Sequence, residues 1–228
     1  MKRIVKFTLV ALVAALSVLA CKKNTVPEKT QDTTQDDKKQ NEEVVEEIKL
    51  AVDGKFTEWS EIAAIKADED VPGILVMKTQ MNDSKLYFYI EVDAAMLDVD
   101  DAEYANYLTI CFDCGGDGAE KITYWGGDAG AAYDFNVSIW LMQKGKANMA
   151  CWWDGGTVTG KGKLADGIYR AEFSFPRTDK NLLKSKEIYF GAYLTNQTVV
   201  KEEGEEQWLD GETIGICPAK GEDMAKVK

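Results

Sequence analysis

The side chains with the widest chemical reach in this sequence are aromatic rings set at every second position beside hydrogen-bonding groups. Along 86–92, Tyr87, Tyr89 and Glu91 alternate with Leu86, Phe88, Ile90 and Val92. The same alternation yields Tyr107 and Thr109; Asn136, Ser138 and Trp140; Arg170, Glu172 and Ser174; and Tyr189, Tyr193 and Thr195. Successive side chains of an extended chain point to opposite faces, so each series shares one face. A flat ring can lie on the apolar C–H face of a sugar while Asn, Arg and Glu bond its hydroxyls. The candidate platforms are Trp140, Trp125 and Trp153, with Tyr87, Tyr89, Asn136, Arg170 and Glu91 as their neighbours in function. Trp125 and Trp153 each border a Gly/Asp-rich loop, and because Trp152 alternates with Trp153, one of that pair faces outward; Trp153 is expected to. Tyr and Trp also form strands and pair across them for packing alone. In two stacked sheets the outward faces point apart, so these groups need not converge.

A second candidate chemistry is calcium binding. Asp113-Cys-Gly-Gly-Asp117-Gly-Ala-Glu120 concentrates carboxylates and glycines in one loop, where tight backbone bends let several oxygens surround a hard cation. Asp128 and Asp134 would complete the site if the next loop folds back; the competing reading is an ordinary glycine-rich hairpin. It is not an EF-hand, since Gly115 and Tyr124 occupy ligand positions of that motif. Besides Cys21 the chain has Cys111, Cys114, Cys151 and Cys217 and no histidine. Zinc would need all four thiolates, and a redox Cys-x-x-Cys normally opens a helix rather than closing a strand. A structural disulfide or buried thiols are the readings left. The absent histidine also excludes Ser-His-Asp and Cys-His catalysis and histidine-ligated haem. Carboxylate-pair glycoside hydrolysis survives in principle, but 39 Asp and Glu offer no way to single out a pair.

The elements that must carry these groups are strands. Alternating stretches recur at about 74–81, at Leu108/Ile110/Phe112, at Phe135/Val137/Ile139/Leu141, at Tyr169/Ala171/Phe173/Phe175 and at Ile188/Phe190/Ala192/Leu194. Gly-, Asp- and Asn-rich breaks such as Asn82-Asp83-Ser84-Lys85 separate them. Many short strands with turns between predict an all-β fold, an antiparallel β-sandwich of jelly-roll or immunoglobulin-like type, over 48–228. A turn or two of helix is expected over 98–107.

Two segments precede that domain. Lys2, Arg3 and Lys6 open residues 1–20, and from Phe7 to Ala20 only Thr8 and Ser17 are polar. The run is short of the roughly 20 apolar residues that span a bilayer, which makes it a secretory signal. It ends Val18-Leu19-Ala20-Cys21, which resembles a bacterial lipobox. Cys21 is then the acylated first residue of the mature protein, and Lys22 in place of aspartate favours the outer membrane within the cell envelope. Residues 21–47 lack aromatics and are rich in Lys, Glu, Asp, Gln and Thr; they cannot bury enough surface to offset backbone ordering, and are expected to form a disordered tether. The net charge of −12 argues against nucleic acid as a partner.

Three stretches carry a family resemblance: Val52-Asp-Gly-Lys-Phe-Thr-Glu-Trp59, Asn82-Asp-Ser-Lys-Leu-Tyr-Phe-Tyr-Ile-Glu-Val92, and Tyr169-Arg-Ala-Glu-Phe-Ser-Phe-Pro-Arg177 with Asp179 and Leu182. In order and spacing they resemble the family 9 carbohydrate-binding modules and the wider β-sandwich group that includes DOMON domains. The resemblance implies a β-sandwich that binds sugars through aromatic residues, often with structural Ca²⁺. The motif positions read as structural, Trp59 as a core anchor. Three functions therefore stand: a non-catalytic carbohydrate-binding lipoprotein, an adhesin or assembly module using the same face for a protein partner, and a carboxylate glycosidase.

Overall fold

The computed structural model describes residues 49–100, 102–115, 120–122, 131–178 and 182–228. The signal, Cys21, the tether, Asp117, Trp125 and Asp128 lie outside the described residues.

In chain order the strands are β1 (Ile74–Met81), β2 (Lys85–Asp93), β3 (Tyr104–Asp113), β4 (Glu120–Ile122), β5 (Ala131–Tyr133), β6 (Phe135–Met142), β7 (Ala150–Cys151), β8 (Thr159–Ala165), β9 (Ile168–Pro176), β10 (Tyr189–Glu202), β11 (Glu205–Leu209), β12 (Thr213–Cys217) and β13 (Ala225–Lys226). One sheet runs β1-β2-β9-β8. The other runs β11-β10-β3-β6-β7, with β12 and β13 also paired to β10; β4 and β5 form a separate hairpin. The pairings are antiparallel.

The inner rows are those that alternation predicts. Leu86, Phe88, Ile90 and Val92 of β2 and Tyr169, Ala171, Phe173 and Phe175 of β9 meet Leu108, Ile110 and Phe112 of β3, Val137, Ile139 and Leu141 of β6, and Phe190, Ala192 and Leu194 of β10. Phe88 sits among the rings of Phe112, Phe173, Phe175 and Phe190, with centroids 5.1 to 6.0 Å away. Removing such a side chain from water contributes about 1.5–3 kcal/mol, more than the ~0.5–1.5 kcal/mol of favourable ring geometry. Burial decides which faces meet, and ring orientation refines it. The fold is an all-β antiparallel sandwich.

The expected helix over 98–107 is corrected. A short 3₁₀ turn occupies Ala94–Met96, and β3 begins at Tyr104. The reason lies in Asn106, a buried residue with φ 61°. Its side chain accepts from the Asp98 amide at 2.8 Å and donates to the Asp98 carbonyl. These bonds tie the preceding loop to a kink in a strand, giving the backbone partners that a helix would otherwise supply.

Candidate functional site

The outward-facing groups divide between the two sheets. Tyr87, Tyr89, Glu91, Arg170, Glu172 and Ser174 belong to the first, whereas Tyr107, Thr109, Asn136, Ser138, Trp140, Tyr189, Tyr193 and Thr195 belong to the second. They form no single platform.

On the first sheet the expectation of exposed tyrosines is corrected. Tyr87 and Tyr89 are buried beneath Trp59 and Ile62, with Leu50, Val52 and Phe56 packed around them. The Trp59 ring stacks on Tyr89 at 5.5 Å and 21°. Two tyrosines side by side offer enough apolar area to bind the segment before β1, and that gain exceeds the benefit of leaving them wet. The Tyr89 hydroxyl donates to Glu91 Oε1, which also takes Arg170 Nε at 3.1 Å. Burial and the Glu91 carboxylate push the Tyr89 phenol above its usual range. Glu172 has no solvent exposure, and its carboxylate accepts from Trp59 Nε1 at 3.0 Å and from the Gly54 amide. The motifs that carry the family resemblance are thus structural. Trp59 anchors the core, and Arg177 donates to the carbonyls of Asn82, Leu183 and Ser185, fastening two loops together.

On the second sheet the outward face carries an aromatic groove of about 310 Å³. Trp140 of β6 lies opposite Tyr107 of β3, their rings 4.5 Å apart. Tyr104 adds a ring 5.9 Å from Trp140. Residues 104 and 107 are an odd number apart, so a regular strand would place them on opposite faces. The left-handed turn at Asn106 reverses the alternation and brings both rings to Trp140. Trp152, just after β7, meets Tyr104 edge-on at 5.0 Å. Trp208 of β11 lies 5.4 Å from Trp140 and 6.3 Å from Tyr107. The rim rings are wet, Trp152 being 65% and Trp208 56% exposed, whereas Trp140 is 1% exposed. Ser138 and Glu206 supply hydrogen-bonding groups to the lining. Ser138 Oγ also lies 3.3 Å from the Thr109 hydroxyl.

Trp208 is positioned by a hairpin. Glu203 and Gly204 have φ 52° and 90°, positive at both central residues as two-residue hairpin turns of type I′ require. Val199 of β10 then faces Trp208 across the ladder. Between β11 and β12, which pair in turn along the same edge of β10, Asn196 Oδ1 accepts from the Glu212 amide at 2.7 Å. A Cβ at Gly211 would fall 2.2 Å from the Gln197 nitrogen, so only glycine fits this close approach.

Two platform expectations, Trp140 and Trp153, and the placing of Asn136 are corrected here. Trp140 is the floor of a groove, covered by Tyr104, Tyr107 and Trp208. Trp153 points inward, stacked on Phe135 at 6.2 Å and edge-on to Phe175 at 5.6 Å, while Trp152 faces solvent. A Cβ at Gly155 would lie 2.0 Å from the Trp153 ring. The glycine in that loop lets the ring fold down onto the backbone rather than reach out. Asn136 is exposed beside Cys111, away from the groove lining. Sequence reading missed Tyr104, Trp152, Trp208 and Glu206. The asparagine inside β3 and the glycine after Glu203 were the available signals.

Of the calcium candidates, the carboxylate of Asp113 accepts from the Gly115 amide at 2.9 Å, and that of Asp134 from the Cys114 amide at 2.7 Å. Among the described residues no three His, Cys, Asp or Glu side chains gather as a metal centre would require. Cys111, Cys114 and Cys217 are buried and Cys151 half-buried. Burial pushes the thiols of Cys114 and Cys217 up to about 12 and that of Cys151 to about 11, which suppresses the reactive thiolate.

The chain is similar to family 9 carbohydrate-binding modules. One from Caldicellulosiruptor kristjanssonii in complex with glucose shares 14% identity, covering 79% of this chain and 91% of the module, with a TM-score of 0.47. One from the same organism in complex with cellotriose shares 15% identity, covering 73% and 79%, with a TM-score of 0.44. Likeness of this degree does not transfer a ligand. No family model matches the sequence. No curated protein matches it.

Proposed function

We propose that this protein is a non-catalytic carbohydrate-binding lipoprotein of the bacterial cell envelope, anchored through Cys21 in the outer membrane, whose aromatic groove takes the rings of a poly- or oligosaccharide. The observation that carries the reading is the pair of exposed tryptophans, Trp152 and Trp208, flanking a groove floored by Trp140 and Tyr107. Tryptophans left this wet forgo the burial that folding offers most large apolar side chains. Here the two are held from different elements against a common floor, with Ser138 and Glu206 beside them to bond hydroxyls. That combination suits a ligand with an apolar ring face and a polar edge.

A second reading is a protein partner. It has its own observation: β11 is an edge strand exposed along its length, and Leu209 is exposed beside Trp208. Such an edge can take an added strand.

The test is to measure stability and affinity for a polysaccharide panel in Trp152→Ala, Trp208→Ala and Trp140→Ala. The rim variants are expected to lose no more than about 1.5 kcal/mol of stability, the worth of their ring contacts, and to lose binding by roughly thirtyfold, an energy of about 2 kcal/mol for a central tryptophan. Trp140→Ala, emptying a buried site, is expected to cost about 3–5 kcal/mol of stability. If wild type binds no glycan on the panel, the sugar reading fails and the edge-strand reading replaces it.

A further inference from the structure

A separate cavity of about 310 Å³ lies on the first sheet, where the segment before β1 crosses its outward side. Three cations line it from three parts of the chain: Lys55 from the covering segment, Lys163 from β8 and Arg170 from β9. Among the described residues, Asp166 is the one carboxylate in the lining. Asp53 on Lys55 and Glu91 on Arg170 balance two of these cations, so Lys163 is the cation whose charge faces the cavity without an ion pair among the described residues.

Two structural costs converge on the same cavity. Lys163 and Arg170 are direct cross-strand partners, and like charges in that position oppose pairing. Phe56, also in the lining, has φ 64°, a conformation that bulky side chains rarely adopt and that costs about 1–3 kcal/mol. Nearby carboxylates are already engaged, Asp53 with Lys55 at 2.6 Å and Glu91 with Arg170 at 3.1 Å. Lys163 makes no ion pair among the described residues. Lysine on an edge strand also guards against edge-to-edge association. Lys161 on the same strand serves that purpose, and protection of an edge explains neither the left-handed phenylalanine nor the cations arriving from β9 and from residue 55.

We infer that this cavity binds the carboxylate of an acidic sugar, a uronic acid residue. Arg170 and Lys163 receive the carboxylate, the guanidinium through its planar donors and the lysine as a point charge. The Thr57 hydroxyl lines the cavity beside them. Phe56, braced 5.8 Å from Tyr89, offers its ring to the sugar's C–H face. A neighbouring hollow of about 580 Å³ shares Phe56, Thr57 and Tyr89, and gives room for the next ring of an oligosaccharide. This site uses none of the groove residues and does not depend on what the groove binds.

The experiment is calorimetric titration of the whole chain with a galacturonate trimer and with its methyl ester, which has the same shape without the charge. The acid is expected to bind at least about tenfold more tightly than the ester, and added salt to weaken the acid alone. Lys163→Gln is expected to weaken acid binding about tenfold at a melting temperature no lower than wild type, since Lys163 is exposed and its charge opposes that of Arg170. Trp152→Ala is expected to leave acid binding intact, which separates this site from the groove. Equal affinity for acid and ester, no binding of the acid, or an unaltered Lys163→Gln variant overturns the inference.

Discussion

At residue 172 a carboxylate sits wholly inside the protein, held by the Trp59 indole and the Gly54 amide. A buried charge of this kind is tolerable only while its donors remain. Glu172→Gln keeps the shape but turns one oxygen into an N–H group facing a donor. The expected loss is about 1–3 kcal/mol, read as a lower urea midpoint with an unchanged slope; an unaltered midpoint would show that the pair of donors matters little. The residue scale is also where sequence reading divides most sharply. Trp59 is legible as an anchor through the family resemblance of the segment that carries it. Trp152 and Trp153 are not legible, because neighbouring identical side chains carry no local mark of which faces inward. Gly155, read as loop freedom, is instead the space that the Trp153 ring occupies.

The β10–β11 hairpin sets the groove at the scale of elements. Its charged turn and exposed second strand bury little beyond part of Trp208, so its placement depends on the close approach at Gly211 and the Asn196–Glu212 bond. Gly211→Ala is expected to cost about 1–3 kcal/mol by forcing the two backbones apart. It should also shift the tryptophan emission spectrum as Trp208 moves from Trp140, with glycan affinity falling in parallel. An emission spectrum and affinity equal to wild type would mean that the hairpin finds its place without this close approach. Asn106 acts at the same scale from within β3. Without its left-handed turn, Tyr104 would point into the core or Tyr107 would, and the groove would lose a ring. Alternation alone cannot register such a reversal, because it assumes an unbroken period of two.

Two expectations concern the molecule as a whole. If Cys21 carries the lipid, Cys21→Ala releases the protein from membrane pellets and from the Triton X-114 detergent phase, whereas equal partitioning of variant and wild type rules the anchor out. Calcium at Asp113, Asp117, Asp128 and Asp134 would appear as a melting temperature lowered by EDTA and restored by added Ca²⁺ through mass action. A melting curve indifferent to both leaves Asp113 and Asp134 with the loop-locking bonds they make to the Gly115 and Cys114 amides.

By itself the sequence determined the inner rows and the class of fold. Leu86, Phe88, Ile90 and Val92, or Tyr169, Ala171, Phe173 and Phe175, are marked by a period that is local, and burying them is favourable against any apolar partner. Only the tertiary structure decided which outward face would be wet. On the first sheet the segment before β1 closes over Tyr87 and Tyr89. On the second, Tyr107, Trp140, Trp152 and Trp208 arrive from places up to about a hundred residues apart, through a kink, a glycine under a neighbouring ring and a hairpin held by a close backbone approach. Convergence of that kind is a property of strand order and close approach, and a pattern read along one strand holds no information about what lies across it.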